Sequence, residues 1–121
     1  MKLHQYPAAI AAATEAVNQL DQDLGELRQL LAAREGQADL IVAFEELKND
    51  AQRKARRFEI LQLDEQYLVC QSKLLELTTA KANAFAYLEQ LRNQFSVAKL
   101  EARWAIAEKL MGLEARELVG L

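Results

Sequence analysis

Residues 63–111 read LDEQYLVCQSKLLELTTAKANAFAYLEQLRNQFSVAKLEARWAIAEKLM, with almost nothing in them to stop a helix. Every third or fourth position along this stretch forms a seam: Leu63, Tyr67, Cys70, Leu74, Leu77, Lys81, Ala84, Leu88, Leu91, Phe95, Ala98, Ala102 and Ala105. Lys81 is its only polar member. A 3.5-residue apolar repeat kept up over about six heptads marks a helix that buries one side against other helices with a left-handed supercoil. At about 1.5 Å per residue such a helix is roughly 70 Å long, more than the rest of so short a chain can cover. Its far end is therefore expected to need a partner.

Toward the N-terminus a second seam runs through Ile10, Ala13, Val17, Leu20, Leu24, Leu27 and Leu31 in the same steps. Pro7 suits a first helical position, where its missing N–H is unpaired in any case. Gly25 inside this seam should cost about 1 kcal/mol against alanine. Arg34-Glu35-Gly36 supplies a cation for a last turn and a glycine for the left-handed residue that follows a helix. Asp39 can cap the next helix, with Leu40, Phe44, Leu47, Ala51, Phe58 and Leu61 near one face.

Asn49-Asp50 can interrupt that second helix, since both are good caps and poor helix interior. Asp64 can cap a third, although the seam passes through it in register from Ile60, so one helix running on from about residue 51 is the rival reading. The expected architecture is all-α, a single helical domain over 1–121 with helices at 7–34, 39–62 and 64–111. It is an antiparallel helical hairpin or three-helix bundle with one long C-terminal helix and coiled-coil-like packing. Gly112 is expected to end the long helix. The tail with Leu113, Leu118, Val119 and Leu121 has room for a short helix over 113–119 that folds back.

Composition agrees with an all-helical reading. Ala, Glu, Lys, Leu and Arg make up 70 of the 121 residues, beyond the share of about half that marks long helices and coiled coils. Strand-favouring runs are absent. The net charge of −3 argues against a surface that is all nucleic-acid footprint. One cysteine makes no internal disulfide, and neither a signal sequence nor a bilayer-spanning run is present. A soluble cytoplasmic protein with no membrane contact is expected.

Chemistry-bearing residues are sparse. The one histidine, His4, lies in the lead-in, so no His-based acid/base pair, triad or zinc cluster can be assembled. Cys70 sits on the seam, where a thiol behaves as a small hydrophobe. The four glycines are isolated, which excludes a phosphate loop. Lys81 reads as a snorkelling or register-setting residue. No catalytic, cofactor-binding or metal-binding residue is expected, and the chain is read as a non-enzyme.

Charge is unevenly spread. Residues 35–50 hold Glu35, Asp39, Glu45, Glu46 and Asp50 against Lys48, while residues 51–62 hold Arg53, Lys54, Arg56 and Arg57 against Glu59. Two copies meeting antiparallel about a two-fold axis near Asp50 could pair these blocks. Arg53, Arg56 and Arg57 also share one helical face, a geometry suited to phosphates; against that, Asp50 can pair with Lys54 and the acid block nearby can neutralise the rest, so a solvated or ion-paired face is the expected outcome.

Through Lys48-Asn49-Asp50-Ala51-Gln52-Arg53-Lys54-Ala55 and Gln94-Phe95-Ser96-Val97-Ala98-Lys99-Leu100-Glu101 the chain resembles small uncharacterised all-helical proteins of phages and mobile elements, over roughly residues 40 to 105. The resemblance implies no residue roles; it favours a nucleic-acid, recombination or regulatory partner for the basic patch. The reading preferred from the residues is a helical interaction protein, a homodimer or higher homo-oligomer. It binds a further, unidentified protein through Phe95, Leu100, Trp104 and Met111. The alternative is a nucleic-acid-binding accessory protein with Arg53, Lys54, Arg56 and Arg57 on phosphates.

Overall fold

Two side chains fix where the chain bends. Asn49 has extended backbone, and its side chain accepts from the Gln52 amide at 2.9 Å, while the Gln52 side chain accepts from the Lys48 amide at 3.0 Å. That reciprocal capping starts a helix at Asp50. Asp64, also extended, closes the same helix through its own N–H to the Leu61 carbonyl, and its carboxylate accepts from the Tyr67 amide at 3.1 Å to open the next. Both candidate breaks are therefore real.

The computed structural model describes the backbone of Met1 to Gly120, and the side chains of these residues except those at 114, 115 and 117–120. It is 93 % helical and contains no strand among the described residues. After a short 3-10 turn, Leu3–Gln5, come α1 (Tyr6–Phe44), α2 (Asp50–Leu63) and α3 (Glu65–Gly120). Among the described residues no helix is long and apolar enough to cross a membrane.

Three helix ends differ from the sequence expectation, α2 starting at Asp50 rather than at 39 because α1 has taken the residues before it. α1 does not stop at Gly36 but runs on to Phe44, because the α1 seam continues past Leu31 through Glu35, Ala38 and Val42. Ala38 and Val42 are buried, and that burial outweighs one helical glycine at about 1 kcal/mol. Asp39 is consequently a mid-helix surface residue rather than a cap. Likewise α3 passes through Gly112, so there is no separate tail helix at 113–119 and no fold-back. The side chains of Leu118, Val119 and Leu121, on which that expectation leaned, lie outside the described residues.

The chain forms two compact units. In Ala16–Asn83, the middle of α1, all of α2 and the start of α3 surround a cluster of Leu31, Ala38, Leu61 and Tyr67, edged by Ile60, Cys70 and Leu74. Leu24, only 1 % exposed, lies in the same unit. Advancing along α1 from Asp21 to Glu35 means retreating along α3 from Lys81 to Tyr67, since Lys81 bonds Asp21 at 2.6 Å and Tyr67 bonds Glu35 at 2.9 Å. α1 and α3 are thus antiparallel there. In the other unit, Met1–Glu15 with the chain from Ala84 onward, the buried residues are Tyr6, Ala13, Leu88 and Leu91.

The α3 seam is borne out position by position from Tyr67 to Ala102: each member is buried or half-buried. Leu63 is 75 % exposed, because the break at Asp64 resets the helical phase and α2 buries Leu61 instead. Ala105 is exposed as well.

α1 ends at a left-handed residue that is not glycine: Glu46 has φ 48°, a conformation that costs an L-residue about 1–2 kcal/mol. Gly36 lies in right-handed helix, and a β-carbon there would meet nothing within 4 Å. Gly36→Ala and Glu46→Gly are each expected to raise unfolding free energy by about 0.5–1 kcal/mol in urea titrations. Leu24→Ala should lower it by about 2–5 kcal/mol.

Candidate protein interface

The distal part of α3 carries the apolar residues that the sequence singled out, and the structure sorts them into two kinds. Phe95 belongs to the seam. Its ring stacks on Tyr6 with centroids 5.5 Å apart and planes 19° from parallel, and the Lys99 ammonium lies 4.5 Å from its centroid on the outside. Phe95 is therefore an internal contact, half-buried within its own unit. Leu100, Trp104 and Met111 are exposed, Trp104 to 68 %.

These three belong to a stripe in steps of three and four: Val97, Leu100, Trp104, Ala107 and Met111. At about 100° per residue it lies on the side of α3 away from Phe95, Ala98 and Ala102. The indole N–H of Trp104 donates to Glu108 Oε1 at 2.8 Å. The polar edge is thus satisfied along its own helix, and the ring is left as bare apolar surface. Sequence reasoning missed Val97, which the same stepping would have found. It also missed that the seam side carries on past Ala102 through Ile106, Leu110 and Leu113, all exposed. From Arg103 to Leu113 no residue is buried or half-buried, and the helix there shows apolar side chains on two opposite sides.

The basic patch has a different fate. Arg56 Nε donates to both carboxylate oxygens of Glu45, at 3.0 and 2.9 Å, and its Nη1 lies 3.3 Å from Glu59. Arg57 bonds Asp39 at 2.7 Å and reaches Glu35 at 3.7 Å. The hydrogen bonds that Arg56 donates to Glu45 push its pKa above the ordinary value, and the one that Arg57 donates to Asp39 does the same for Arg57. Arg53 pairs with Asp50 and donates to the Leu47 carbonyl at 3.1 Å. Among the described residues Lys54 has no ion pair. The acid and basic blocks thus pair within one chain, because α2 lies alongside the end of α1 and brings them together, which leaves less charge free for the pairing of two copies that the blocks could also make.

That pairing extends inward. The Tyr67 hydroxyl donates to Glu35 Oε1 and accepts from Gln71 Nε2 at 3.0 Å, so one carboxylate serves both the phenol and Arg57. Burial, reinforced by Glu35, raises the phenol's pKa above its ordinary value of 10.0. On α3, the hydrogen bond from Lys81 holds the Asp21 carboxyl below its ordinary range. The one polar seam residue is therefore partnered.

His4 is exposed in the opening 3-10 turn, and Cys70 is half-buried against the core. No group of three or more His, Cys, Asp or Glu side chains among the described residues could hold a metal ion. Compared with known protein families, curated proteins and solved structures, the chain shows no match.

A phenol with a raised pKa stabilises the fold fully below the unfolded value of 10.0, and this contribution is lost as pH climbs through the folded value. Tyr67→Phe should cost about 1 kcal/mol near neutrality through the lost hydroxyl bonds. The gap between wild type and variant in urea midpoint should narrow as pH is raised beyond 10.0. A gap that widens would reverse this assignment.

Proposed function

We propose that this protein is a non-enzymatic helical interaction protein that self-associates and binds a protein partner through the distal part of α3. What carries this reading is the stretch from Val97 to Leu113, where Leu100, Trp104, Ile106, Leu110, Met111 and Leu113 are all more than half exposed on one continuous helix. Scattered surface leucines need no explanation, but a contiguous apolar surface on a helix marks a place where another molecule sits. Burying a single large aliphatic or aromatic side chain is worth about 1.5–3 kcal/mol. Three or four anchors supply about 5–12 kcal/mol, of the same order as the freedom lost on association.

The nucleic-acid alternative has less support. A phosphate approaching Arg56 or Arg57 would have to displace Glu45 or Asp39, which leaves Lys54 as the cation of that patch without a carboxylate beside it.

Trp104 is the one tryptophan in the chain, so replacing it with 5-fluorotryptophan gives a single ¹⁹F probe at the centre of the surface. Its resonance is expected to broaden and move away from the solvent-exposed position as protein concentration rises, or on adding extract of the native host. An indole that stays in water under both conditions would sink the reading.

A further inference from the structure

Two adjoining hollows open along α1 and α3 within the Ala16–Asn83 unit. One, of about 440 Å³, is lined by Leu30, Arg34, Glu65, Gln66, Val69 and Cys70. The other, of about 300 Å³, shares Leu30 and adds Leu27 and Leu77, with Asp23 and Glu26 on the α1 rim and Lys73 on the α3 rim. Leu27 is buried as the floor, while Leu30 and Val69 stand 58 % and 65 % exposed as the walls. An apolar floor between two helices with charged rims is the form of a groove that takes the apolar side of a third helix.

The charges on the rims say which helix fits. Asp23 and Glu26 accept from the neutral side chains of Gln19 and Gln22, at 3.0 and 3.4 Å. Neither they nor Lys73 forms an ion pair among the described residues. The distal stripe of α3 is flanked in the complementary way. Helical spacing places Lys99 and Arg103 on one side of Leu100 and Trp104, and Glu101 and Glu108 on the other. From Asp23 to Arg34 α1 advances about 16 Å, and the stripe from Val97 to Met111 about 21 Å, so groove and stripe are of similar length.

We propose that this groove receives the Val97–Met111 stripe of a second copy of the chain, the basic flank lying over Asp23 and Glu26 and the acidic flank over Lys73. This rests on distal α3 being an interface, and adds the surface it meets. Because the two surfaces differ, each copy offers one stripe and one groove: two copies can exchange stripes about a two-fold axis, each stripe in the other's groove, or the contact can repeat head to tail.

Sedimentation equilibrium over a range of protein and salt concentrations tests it with two variants at exposed positions, Leu30→Glu in the groove and Trp104→Glu on the stripe. The wild type should rise in mass to a dimer or beyond as concentration increases, and fall back as salt is raised. Each variant alone should remain a monomer. An equimolar mixture should reach twice the monomer mass and stop there, since Trp104→Glu keeps its groove and Leu30→Glu keeps its stripe. The mixture also controls for folding, and Val69→Glu on the opposite wall repeats the groove test if Leu30→Glu melts early. If Leu30→Glu and Val69→Glu associate like wild type while Trp104→Glu does not, stripe meets stripe. The groove is then overturned while the reading of α3 survives. Variants that keep wild-type melting temperatures but give a monomeric mixture overturn the stripe-in-groove contact. A wild type that is monomeric at every concentration also overturns it, and the fluorine probe in extract then decides separately whether α3 meets a foreign protein.

Discussion

The pairing of Lys81 with Asp21 fixes which turn of α3 faces which turn of α1 in the Ala16–Asn83 unit, and the remaining contacts there depend on that choice. A seam of leucines and alanines does not choose a register by itself, because sliding one helix by a heptad sets apolar residues on apolar residues again. The polar members break the tie. Sliding one way brings Lys81 opposite Arg28 and the Tyr67 hydroxyl opposite Val42; sliding the other way brings Lys81 opposite Thr14 and Tyr67 opposite Arg28. As an exposed ion pair Lys81–Asp21 is worth at most about 1 kcal/mol. The larger penalty on the alternatives comes from Tyr67, since a buried phenol deprived of its Glu35 partner costs about 1–3 kcal/mol.

Once the register is set, Glu35 faces Tyr67 and stands ready for Arg57, which also holds Asp39. α2 is tied to the end of α1 by these bonds and by Arg56 on Glu45, while its apolar contribution is chiefly Leu61 and Ile60. A helix of 14 residues is too short to be stable alone, so the caps at Asn49 and Asp64 and the carboxylates of α1 supply what its small apolar face does not. The basic patch is therefore better understood as the means by which α2 is attached than as a surface kept free for an external anion.

Much of this was legible in the sequence, for a reason that also explains the failures. Periodicity reports burial directly, so the α3 seam could be read from Tyr67 to Ala102, and cap chemistry is local, so Asn49 and Asp64 could be read as breaks. Gly36 and Gly112 misled because glycine suggests a helix end only where packing does not ask the helix to continue, and Ala38 and Val42 ask it to continue past Gly36. Glu46 could not be read as the left-handed residue that closes α1, since nothing in glutamate prefers that conformation. That the acid block would neutralise the arginines was legible, but which carboxylate takes which arginine depends on the angle at which α2 returns along α1 and not on spacing within α2. On the distal surface the stripe was legible in Leu100, Trp104 and Met111. Phe95 was read both as a seam member and as an interface anchor; the structure places it on the seam against Tyr6, and that partner separates seam from stripe where the two interleave on one helix.

The interleaving bears on what the end of α3 can do. Ile106, Leu110 and Leu113 prolong the side that carries Phe95, Ala98 and Ala102, while Leu100, Trp104 and Met111 occupy the opposite side. A helix apolar on one side is a surface helix; one apolar on two sides has two faces to bury. A single neighbouring helix covers about a third of a helix's circumference and so can shelter only one of the two stripes. Two helices held side by side as a groove cover more, because the inserted helix touches both walls and the floor at once. The charges narrow the choice further, since Arg103 and Glu108 lie on opposite flanks of the exposed stripe and a partner bearing one sign on both rims would repel one of them.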